Sequence, residues 1–329
     1  MNVLITGGAG FIGHHLVEHL LDNTDAKIVC LDRLDTSGNL NRLGEVLEGH
    51  FDSHRVKVLW HDLRAPISES LARQIGPVEY ILHLAAGSHV DRSIDDPISF
   101  VYDNVVGTAN ILDYARTLHK TGGLARMLYF STDEVFGPAP KGIAYKENDR
   151  YNSGNPYSAT KAGAEELCVA YANTYKLPVM ISHCMNVFGE RQHVEKFIPL
   201  TIRTVLEGGT LQIHSNATKT KSGSRCYIHA RNVAAATLFL MSYGNVGEKY
   251  NIVGEREVSN LDMAKMIAKI LDKPLRYKLV DFHSSRPGHD LRYALDGCKM
   301  RKMGWTIPVD FKQSLTKTVE WIAAHPHWL

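Results

Sequence analysis

The chain has 329 residues, 44% hydrophobic and 22% charged, which is an ordinary globular composition with ample material for a core. Its 37 lysines and arginines nearly balance 35 acids, and the formal charge of +2 predicts neither a nucleic-acid nor a membrane partner. We find no secretory signal pattern, no apolar run of the roughly 18 residues that span a bilayer, and no disulfide framework among five scattered cysteines. We therefore expect a cytoplasmic protein with a small-molecule partner.

Short apolar strands alternate with helical patterns through the first half, as is typical of βαβ units. The predicted strands are residues 3–5, 27–31, 56–60, 80–84, 127–131 and 178–182. The predicted helices among them are residues 11–21, 98–118 and 157–175. This pattern predicts an α/β fold with a doubly wound parallel sheet of the Rossmann type.

The alternation stops after about residue 184. The remaining predicted helices are residues 195–209, 232–243, 259–271 and 311–324. We expect residues 1–183 to form a dinucleotide-binding Rossmann domain to which residues 226–245 return. Residues 184–225 and 246–329 are expected to form a smaller C-terminal lobe that binds the substrate.

A glycine-rich turn follows the first strand and opens the first helix. In GGAGFIG, backbone N–H groups and the positive helix end face a pyrophosphate. Asp32 ends the second strand about 20 residues later, where a carboxylate accepts bonds from the adenosine ribose hydroxyls. Arg33 is a candidate partner for a 2′-phosphate, but the neighbouring carboxylate repels that group, so NAD is favoured over NADP.

Tyr157 and Lys161 lie four residues apart on one predicted helix face, so the ammonium is expected beside the phenol. Lowering a tyrosine pKa from about 10 to about 7 requires roughly 4 kcal/mol of phenolate stabilisation. Lys161 and an oxidised nicotinamide are expected to supply it. A phenolate of this kind removes an alcohol proton while hydride leaves for the cofactor.

Two adjacent acids, Asp133 and Glu134, follow Thr132 at the end of the fifth predicted strand. This carboxyl edge is where doubly wound folds place their substrates. An oxidation alone requires only the tyrosine, so the acid pair indicates a further proton-transfer step. A pair of solvated loop carboxylates is the alternative.

The segments GGAGFIG, LAAGSHVDRS, STDEVFG, NPYSATKAGAEEL and RPGHDLRYALD together resemble those of nucleotide-sugar 4,6-dehydratases, in the extended short-chain dehydrogenase/reductase family. The resemblance implies that Tyr157, tuned by Lys161, accepts the C4 hydroxyl proton, while Thr132 hydrogen-bonds that hydroxyl. It also implies that Asp133 protonates the departing C6 hydroxyl and that Glu134 removes the C5 proton. The hydride then returns to C6, so NAD stays bound.

The combined sequence reading gives two sets of binding residues. The expected cofactor contacts are Gly7, Gly10, Phe11, Ile12, Gly13, Asp32, Asp62, Leu63, Leu84, Ala85, Ala86, Asn104, Tyr157 and Lys161. The resemblance implies that a nucleoside-diphosphate sugar is bound by Asn186, Lys196, Ile198, Pro199, Arg225, Asn251, Arg286 and His289. No metal site is expected, because Cys226 and His229 form a pair without a matching second pair.

Three departures leave the base and the sugar open: Gly87 where these enzymes usually have glutamate, a short 137–155 loop, and Cys226 after Arg225. A UDP-sugar 4-epimerase or UDP-glucuronate decarboxylase on the same scaffold is the enzymatic alternative. An NAD-sensing binding protein is the non-enzymatic one.

The resemblance further implies a homodimer, because relatives pair two helices into a four-helix bundle. The apolar residues expected at that interface are Val101, Val105, Ile111, Leu112, Leu167 and Val169.

Overall fold

The computed structural model describes residues 1–35, 37–281 and 292–329. The strands are β1 (Asn2–Thr6), β2 (Lys27–Asp32), β3 (Val56–Trp60), β4 (Tyr80–His83), β5 (Arg126–Thr132), β6 (Val179–Cys184), β7 (Val187–Phe188), β8 (Thr210–Ser215), β9 (Ser224–Cys226), β10 (Ile228–His229), β11 (Lys249–Ile252), β12 (Glu257–Ser259) and β13 (Arg276–Asp281). The α-helices are α1 (Phe11–Asn23), α2 (Leu40–Glu48), α3 (Glu69–Ile75), α4 (Val90–Asp95), α5 (Pro97–Phe100), α6 (Gly107–Lys120), α7 (Pro156–Tyr175), α8 (Phe197–Leu206), α9 (Ala230–Tyr243), α10 (Asn260–Ile270), α11 (Cys298–Lys302) and α12 (Phe311–Ala324). Short 3₁₀ helices span Ser53–Arg55, Asp133–Phe136 and Pro326–Trp328.

One seven-stranded parallel sheet forms the centre of the molecule, in the order β11-β6-β5-β4-β1-β2-β3. On one face, apolar residues of α1 and α9 pack against the sheet, including Leu16 and Leu240. On the other face, α6 and α7 contribute Ile111, Leu112 and Cys168. Burial on both faces explains why these strands read as short apolar runs, and the predicted doubly wound fold is confirmed.

One strand of the main sheet, β11, was not among the predicted strands. It pairs with β6 at the sheet edge, so this segment lies in the main sheet and not in the smaller lobe to which the sequence assigned it. The strand is only four residues long and carries Asn251 in its interior, and a local apolar pattern therefore could not reveal it. Helix α9 packs on the sheet as expected for residues 226–245, while the remaining domain boundaries stay a prediction.

The smaller lobe has its own core, in which α8, α10 and α12 meet around Ile202, Met263 and Val319. Two-stranded sheets pair β7 with β10, β9 with β12 and β8 with β13. Within the described ranges, no helix has the length and apolar character needed to cross a bilayer.

The predicted helix over residues 98–118 is divided in the structure. Helix α5 is followed by a π-helical segment, Val101–Val106, before α6 begins at Gly107. Short π-helical insertions occur frequently at functional sites. Here the segment carries Asp103, which lines the cavity described below, and Asn104.

Candidate active site

The turn between β1 and α1 requires glycine at several positions. Gly7 has φ of +75°, and a Cβ there would lie 2.8 Å from the backbone nitrogen of Ala85. A Cβ at Gly13 would lie 2.2 Å from the carbonyl oxygen of Gly7. The absence of side chains lets the chain turn tightly and exposes the N-terminus of α1, which is the arrangement that binds phosphate groups.

A cavity of about 270 Å³ runs from this turn along the carboxyl ends of the strands to α7. The predicted cofactor residues that line it are Gly7, Gly10, Phe11, Ile12, Gly13, Asp32, Asp62, Leu63, Leu84, Ala85, Ala86, Tyr157 and Lys161. The glycine turn, the strand ends and the Tyr157–Lys161 pair therefore share one cavity.

Asp32 is held rigidly at the end of β2. Its carboxylate accepts hydrogen bonds from the backbone N–H groups of Ala9 at 3.0 Å and Leu34 at 2.9 Å. Burial raises the pKa of this carboxyl, although the two backbone bonds oppose the rise. The fixed carboxylate is placed to accept bonds from ribose hydroxyls, as its sequence position indicates.

Asn104, for which a cofactor contact stays a prediction, is hydrogen-bonded within the protein. Its amide group donates to the Gly87 carbonyl at 3.1 Å and to Thr160 Oγ1 at 2.9 Å, and it accepts from the Gly87 N–H at 2.8 Å. The side chain is buried and ties the turn after β4 to α7. Its contribution is to position these elements.

Tyr157 and Thr132 bring two elements into contact. The Thr132 hydroxyl acts on the Tyr157 phenol and opposes the rise in its pKa, at the point where the start of α7 meets the end of β5. Thr132 Oγ1 also donates to Asp133 Oδ1 at 3.1 Å and accepts from the Glu134 N–H at 3.3 Å. The predicted catalytic residues Thr132, Asp133, Glu134 and Tyr157 thus form one connected cluster.

Asp133 is a buried acid with an unusual protonation equilibrium. Burial and the neighbouring charge of Glu134 raise its pKa to about 7, although Arg225 and Thr132 act in the opposite direction. Its Oδ2 atom is buried and has no hydrogen-bond partner among the described residues. A carboxyl group that holds its proton near neutral pH is suited to act as a general acid.

Lys161 is oriented differently from the expectation. Its Nζ donates to the Phe130 carbonyl at 2.5 Å and lies 4.3 Å from the centre of the Tyr129 ring. Burial lowers the pKa of Lys161 to about 7, and burial together with Glu134 raises that of Tyr157. Burial penalises the charged form of both groups, so the protein alone does not lower the tyrosine pKa. The lowered pKa, which also depends on an oxidised nicotinamide, stays a prediction.

Asn155 is a site residue that the sequence reading missed. Its side chain caps α7 by accepting from the Ser158 N–H at 2.8 Å, and Ser158 reciprocates in a capping box. The same side chain donates from Nδ2 to Glu134 Oε2 at 3.2 Å. The Asn-Pro pair before the predicted helix was a visible capping signal, but its contact with Glu134 depends on the tertiary fold.

Three predicted substrate residues lie around this cluster. The Arg225 guanidinium stacks over the Tyr293 ring at 4.7 Å, and its charge acts on Asp133. Lys196 lines the cavity, where burial lowers its pKa against the opposing charge of Glu134. Asn186 has a buried Oδ1 without a hydrogen-bond partner in the described parts of the chain.

The remaining predicted substrate residues are not brought to the cavity. Ile198 is 2% exposed within the lobe core, and Pro199 is buried in the same helix. Asn251 is used internally, since its side chain hydrogen-bonds His183 Nδ1 at 3.0 Å and donates to two backbone carbonyls. Their contacts with the substrate stay a prediction, because motif position does not show which way a side chain faces. Arg286 and His289 lie outside the described residues.

The neighbours of Gly87 and Cys226, two of the departures from the family pattern, can be described. A Cβ at Gly87 would lie 3.1 Å from the Phe100 ring and 3.3 Å from Asp103 Oδ2, so glutamate does not fit there without a shift. Cys226 packs against an apolar cluster that includes Phe136 and Leu295, and burial raises its pKa to about 11. Over residues 1–35, 37–281 and 292–329, no group of three or more His, Cys, Asp or Glu side chains is arranged to hold a metal ion.

The doubly wound sheet, the glycine turn and the Tyr157–Lys161 pair define a Rossmann protein of the extended short-chain dehydrogenase/reductase class. The model of the GDP-mannose 4,6-dehydratase family matches residues 4–318. The chain belongs to this family of nucleotide-sugar dehydratases.

Three known proteins illustrate the similarity. The dTDP-glucose 4,6-dehydratase of Escherichia coli is 34% identical over 352 residues, covering 100% of this chain and 95% of that relative. The structure of DesIV, a dTDP-glucose 4,6-dehydratase from Streptomyces venezuelae with NAD bound, superposes with a TM-score of 0.88 at 35% identity and covers 100% and 98% of the two chains. The UDP-glucose 4-epimerase of Thermus thermophilus in complex with NAD superposes with a TM-score of 0.85 at 26% identity and covers 98% of this chain and 99% of that chain.

Proposed function

We propose that this protein is an NAD-dependent hydro-lyase that converts dTDP-glucose to its 4-keto-6-deoxy product. The observation that carries the proposal is the buried Asp133, with a pKa of about 7, beside Glu134 and linked through Thr132 to Tyr157. The relatives named dTDP-glucose 4,6-dehydratases support the choice of substrate, and they match essentially the whole chain.

The residues of the cavity fit NAD. The glycine turn and the N-terminus of α1 would hold the pyrophosphate, and Asp32 would bind the adenosine ribose. Bound NAD supplies a hydride acceptor for C4 of the sugar and, once reduced, a hydride donor for C6.

The protein groups then move the protons. With oxidised nicotinamide bound, the Tyr157 phenolate would take the proton of the C4 hydroxyl, which Thr132 would also hydrogen-bond. The C5 hydrogen becomes acidic only when C4 is a ketone. Glu134 then removes it, and returns a proton to C5 when C6 receives the hydride. Asp133 donates its proton to the C6 oxygen, which leaves as water. Arg225 and Lys196 provide positive charge around the diphosphate and the acids.

The acid pair also separates this function from its alternatives. A 4-epimerase or decarboxylase on the same scaffold needs the Tyr157–Lys161 pair and NAD, but has no use for an acid at position 133. A protein that only senses NAD has no need of the complete catalytic cluster. The buried Asp133, whose pKa burial and Glu134 raise to about 7, therefore favours dehydration.

The deciding experiment follows the hydride. When dTDP-glucose carries deuterium at C4 of the hexose, the product should be a 4-keto-6-deoxy sugar with deuterium at C6. Mass spectrometry and NMR detect the position of the label. An epimerase would return the label to C4. Recovery of a hexose with its C6 hydroxyl intact, across a panel of nucleoside-diphosphate hexoses, would rule out the assignment.

We also propose a homodimer. Ile98, Val101 and Tyr102 are 62%, 39% and 51% exposed on α5 and the π-helical segment, which is a large apolar area to leave in water. Ile111 and Leu112, which were expected at the interface, are instead fully buried against the sheet.

A cytoplasmic location is proposed because all five cysteines are free, as in a reducing compartment.

A further inference from the structure

Two arginines at the Asp32 end of the cavity are joined by one carboxylate. Asp103 accepts from Arg33 Nη1 at 2.5 Å and Nη2 at 2.9 Å, and from Arg64 Nε at 2.7 Å. All three residues line the same cavity as Asp32. The Asp103 side chain is 9% exposed, and its pKa is lowered because the hydrogen bonds from both arginines outweigh the effect of burial.

The hydrogen-bonding capacity of Arg33 is largely used within the protein. Besides the bidentate bond to Asp103, its Nε donates to Asp35 Oδ2 at 2.5 Å. Asp62 Oδ1 also lies near this group, 3.8 Å from Arg33 Nη1. Three carboxylates therefore surround this guanidinium, and its pKa is raised by the bonds to Asp103 and Asp35 against the effect of burial.

The position of Asp103 is fixed by its neighbours. The next residue, Asn104, is bonded to both the N–H and the carbonyl of Gly87. Asp103 Oδ2 lies 3.3 Å from where a Cβ would stand at Gly87, so the glycine leaves room for this carboxylate. The departure at position 87 and the acid at position 103 therefore belong to one local arrangement.

We propose that Asp103 is a specificity-determining residue for the cofactor: it holds the guanidinium groups of Arg33 and Arg64 and so withholds from an adenosine 2′-phosphate the cations that would bind it. This inference rests on the proposed use of NAD. Arginine binds phosphate oxygens in a bidentate manner, and an arginine near the ribose is how Rossmann proteins accept the 2′-phosphate of NADP. Asp103 neutralises two such arginines, while Asp32 repels the phosphate directly.

The test compares nucleotides that differ by a single phosphate group. The full-length protein and its Asp103→Asn variant are freed of bound nucleotide and titrated by calorimetry with NAD, NADP, ADP-ribose and 2′-phospho-ADP-ribose. The variant should bind the two 2′-phosphorylated nucleotides at least about tenfold more tightly than the wild type, while binding to NAD changes little. Adding Arg33→Gln and Arg64→Gln to the variant should remove the gain.

Asp113→Asn is the matched control, because it removes the same charge and an arginine partner, Arg116, on the exposed face of α6. Asp103→Ser repeats the charge removal should the asparagine variant unfold. An unchanged NADP-to-NAD ratio in both Asp103 variants, or a gain equal to that of the control, overturns the inference alone. A wild-type protein that binds neither NAD nor ADP-ribose overturns the proposed function as well.

Discussion

Burial controls the protonation of the residues that would do the chemistry. It raises the pKa of Asp133 and lowers that of Lys161, so both lie at about 7 although their usual values differ by several units. Near neutral pH the site can therefore hold an uncharged acid and release a proton from a lysine. An exposed aspartate and an exposed lysine would both keep their ordinary charges at this pH.

Replacing Asp133 should separate oxidation from elimination. Asp133→Asn leaves Tyr157 and Thr132 in place, so C4 oxidation proceeds, but loss of the C6 hydroxyl slows by about 10² to 10⁴-fold without its acid. Reduced cofactor should accumulate and be visible by its absorbance during turnover. Tyr157→Phe is the comparison variant and should show no reduced cofactor. If the two variants behave alike, their separate roles are wrong.

The raised pKa of Asp133 also predicts a pH effect on stability. Between about pH 4 and 7 the folded chain keeps a proton on Asp133 that the unfolded chain releases, so the free energy of unfolding falls as pH rises through this window. Asp133→Asn removes this slope, and its stability relative to wild type should increase by at most about 4 kcal/mol across the window. Urea unfolding at a series of pH values measures the difference, and a pH-independent difference would contradict it.

The cap of helix α7 combines a structural task with a positioning task. Asn155 caps the helix that carries Tyr157 and Lys161, and it also contacts Glu134 on the loop after β5. The cap fixes where the helix starts, and therefore where the Tyr157 phenol lies relative to Thr132. One side chain thus sets the distance between the oxidising and eliminating parts of the site.

Two substitutions distinguish these tasks. Asn155→Ala should cost about 1 kcal/mol of stability, whereas Asn155→Asp keeps the cap and places a further carboxylate beside Glu134, in addition to Asp133. Exchange of the C5 proton should be impaired in both variants and should shift to higher pH in the aspartate variant, because a like charge raises the pKa of Glu134. Asp310→Ala, which removes the cap of α12, controls for stability alone. Wild-type exchange in the aspartate variant would exclude a kinetic role for Asn155.

On the scale of the whole molecule, the cavity begins at the glycine turn and extends to Lys196 in the segment before α8. Main sheet and smaller lobe thus both contribute side chains to it. Ligands that contact both parts should stabilise them together by mass action. The sheet supplies the glycine turn and Tyr157 to this cavity, while the segment before α8 supplies Lys196.

The proposed homodimer is a prediction at this scale. Sedimentation at micromolar concentration should give twice the chain mass of 36.7 kDa. Ile98→Asp with Tyr102→Asp should shift the protein to monomer, because two charges would replace apolar contacts. Tyr243→Asp alters an equally exposed aromatic residue on α9 as a control. A wild-type monomer would remove the proposal.

The sequence by itself determined the features that depend on neighbouring residues. The glycine turn, the apolar strands, the four-residue spacing of Tyr157 and Lys161, and the Thr132–Glu134 triplet are local patterns, and each lies where the pattern indicates. Such patterns are legible because strand periodicity, turn conformation and helix faces are set within a few residues.

The tertiary structure decided what depends on residues far apart in the chain. It placed β11 in the main sheet, turned Asn251 and Ile198 inward, and brought Asp103 between Arg33 and Arg64. It also set the pKa values, because desolvation is a property of the surrounding fold and not of a motif. The hydrogen-bond partners of a side chain and its degree of burial depend on residues far apart in the chain, so a local sequence pattern does not predict them.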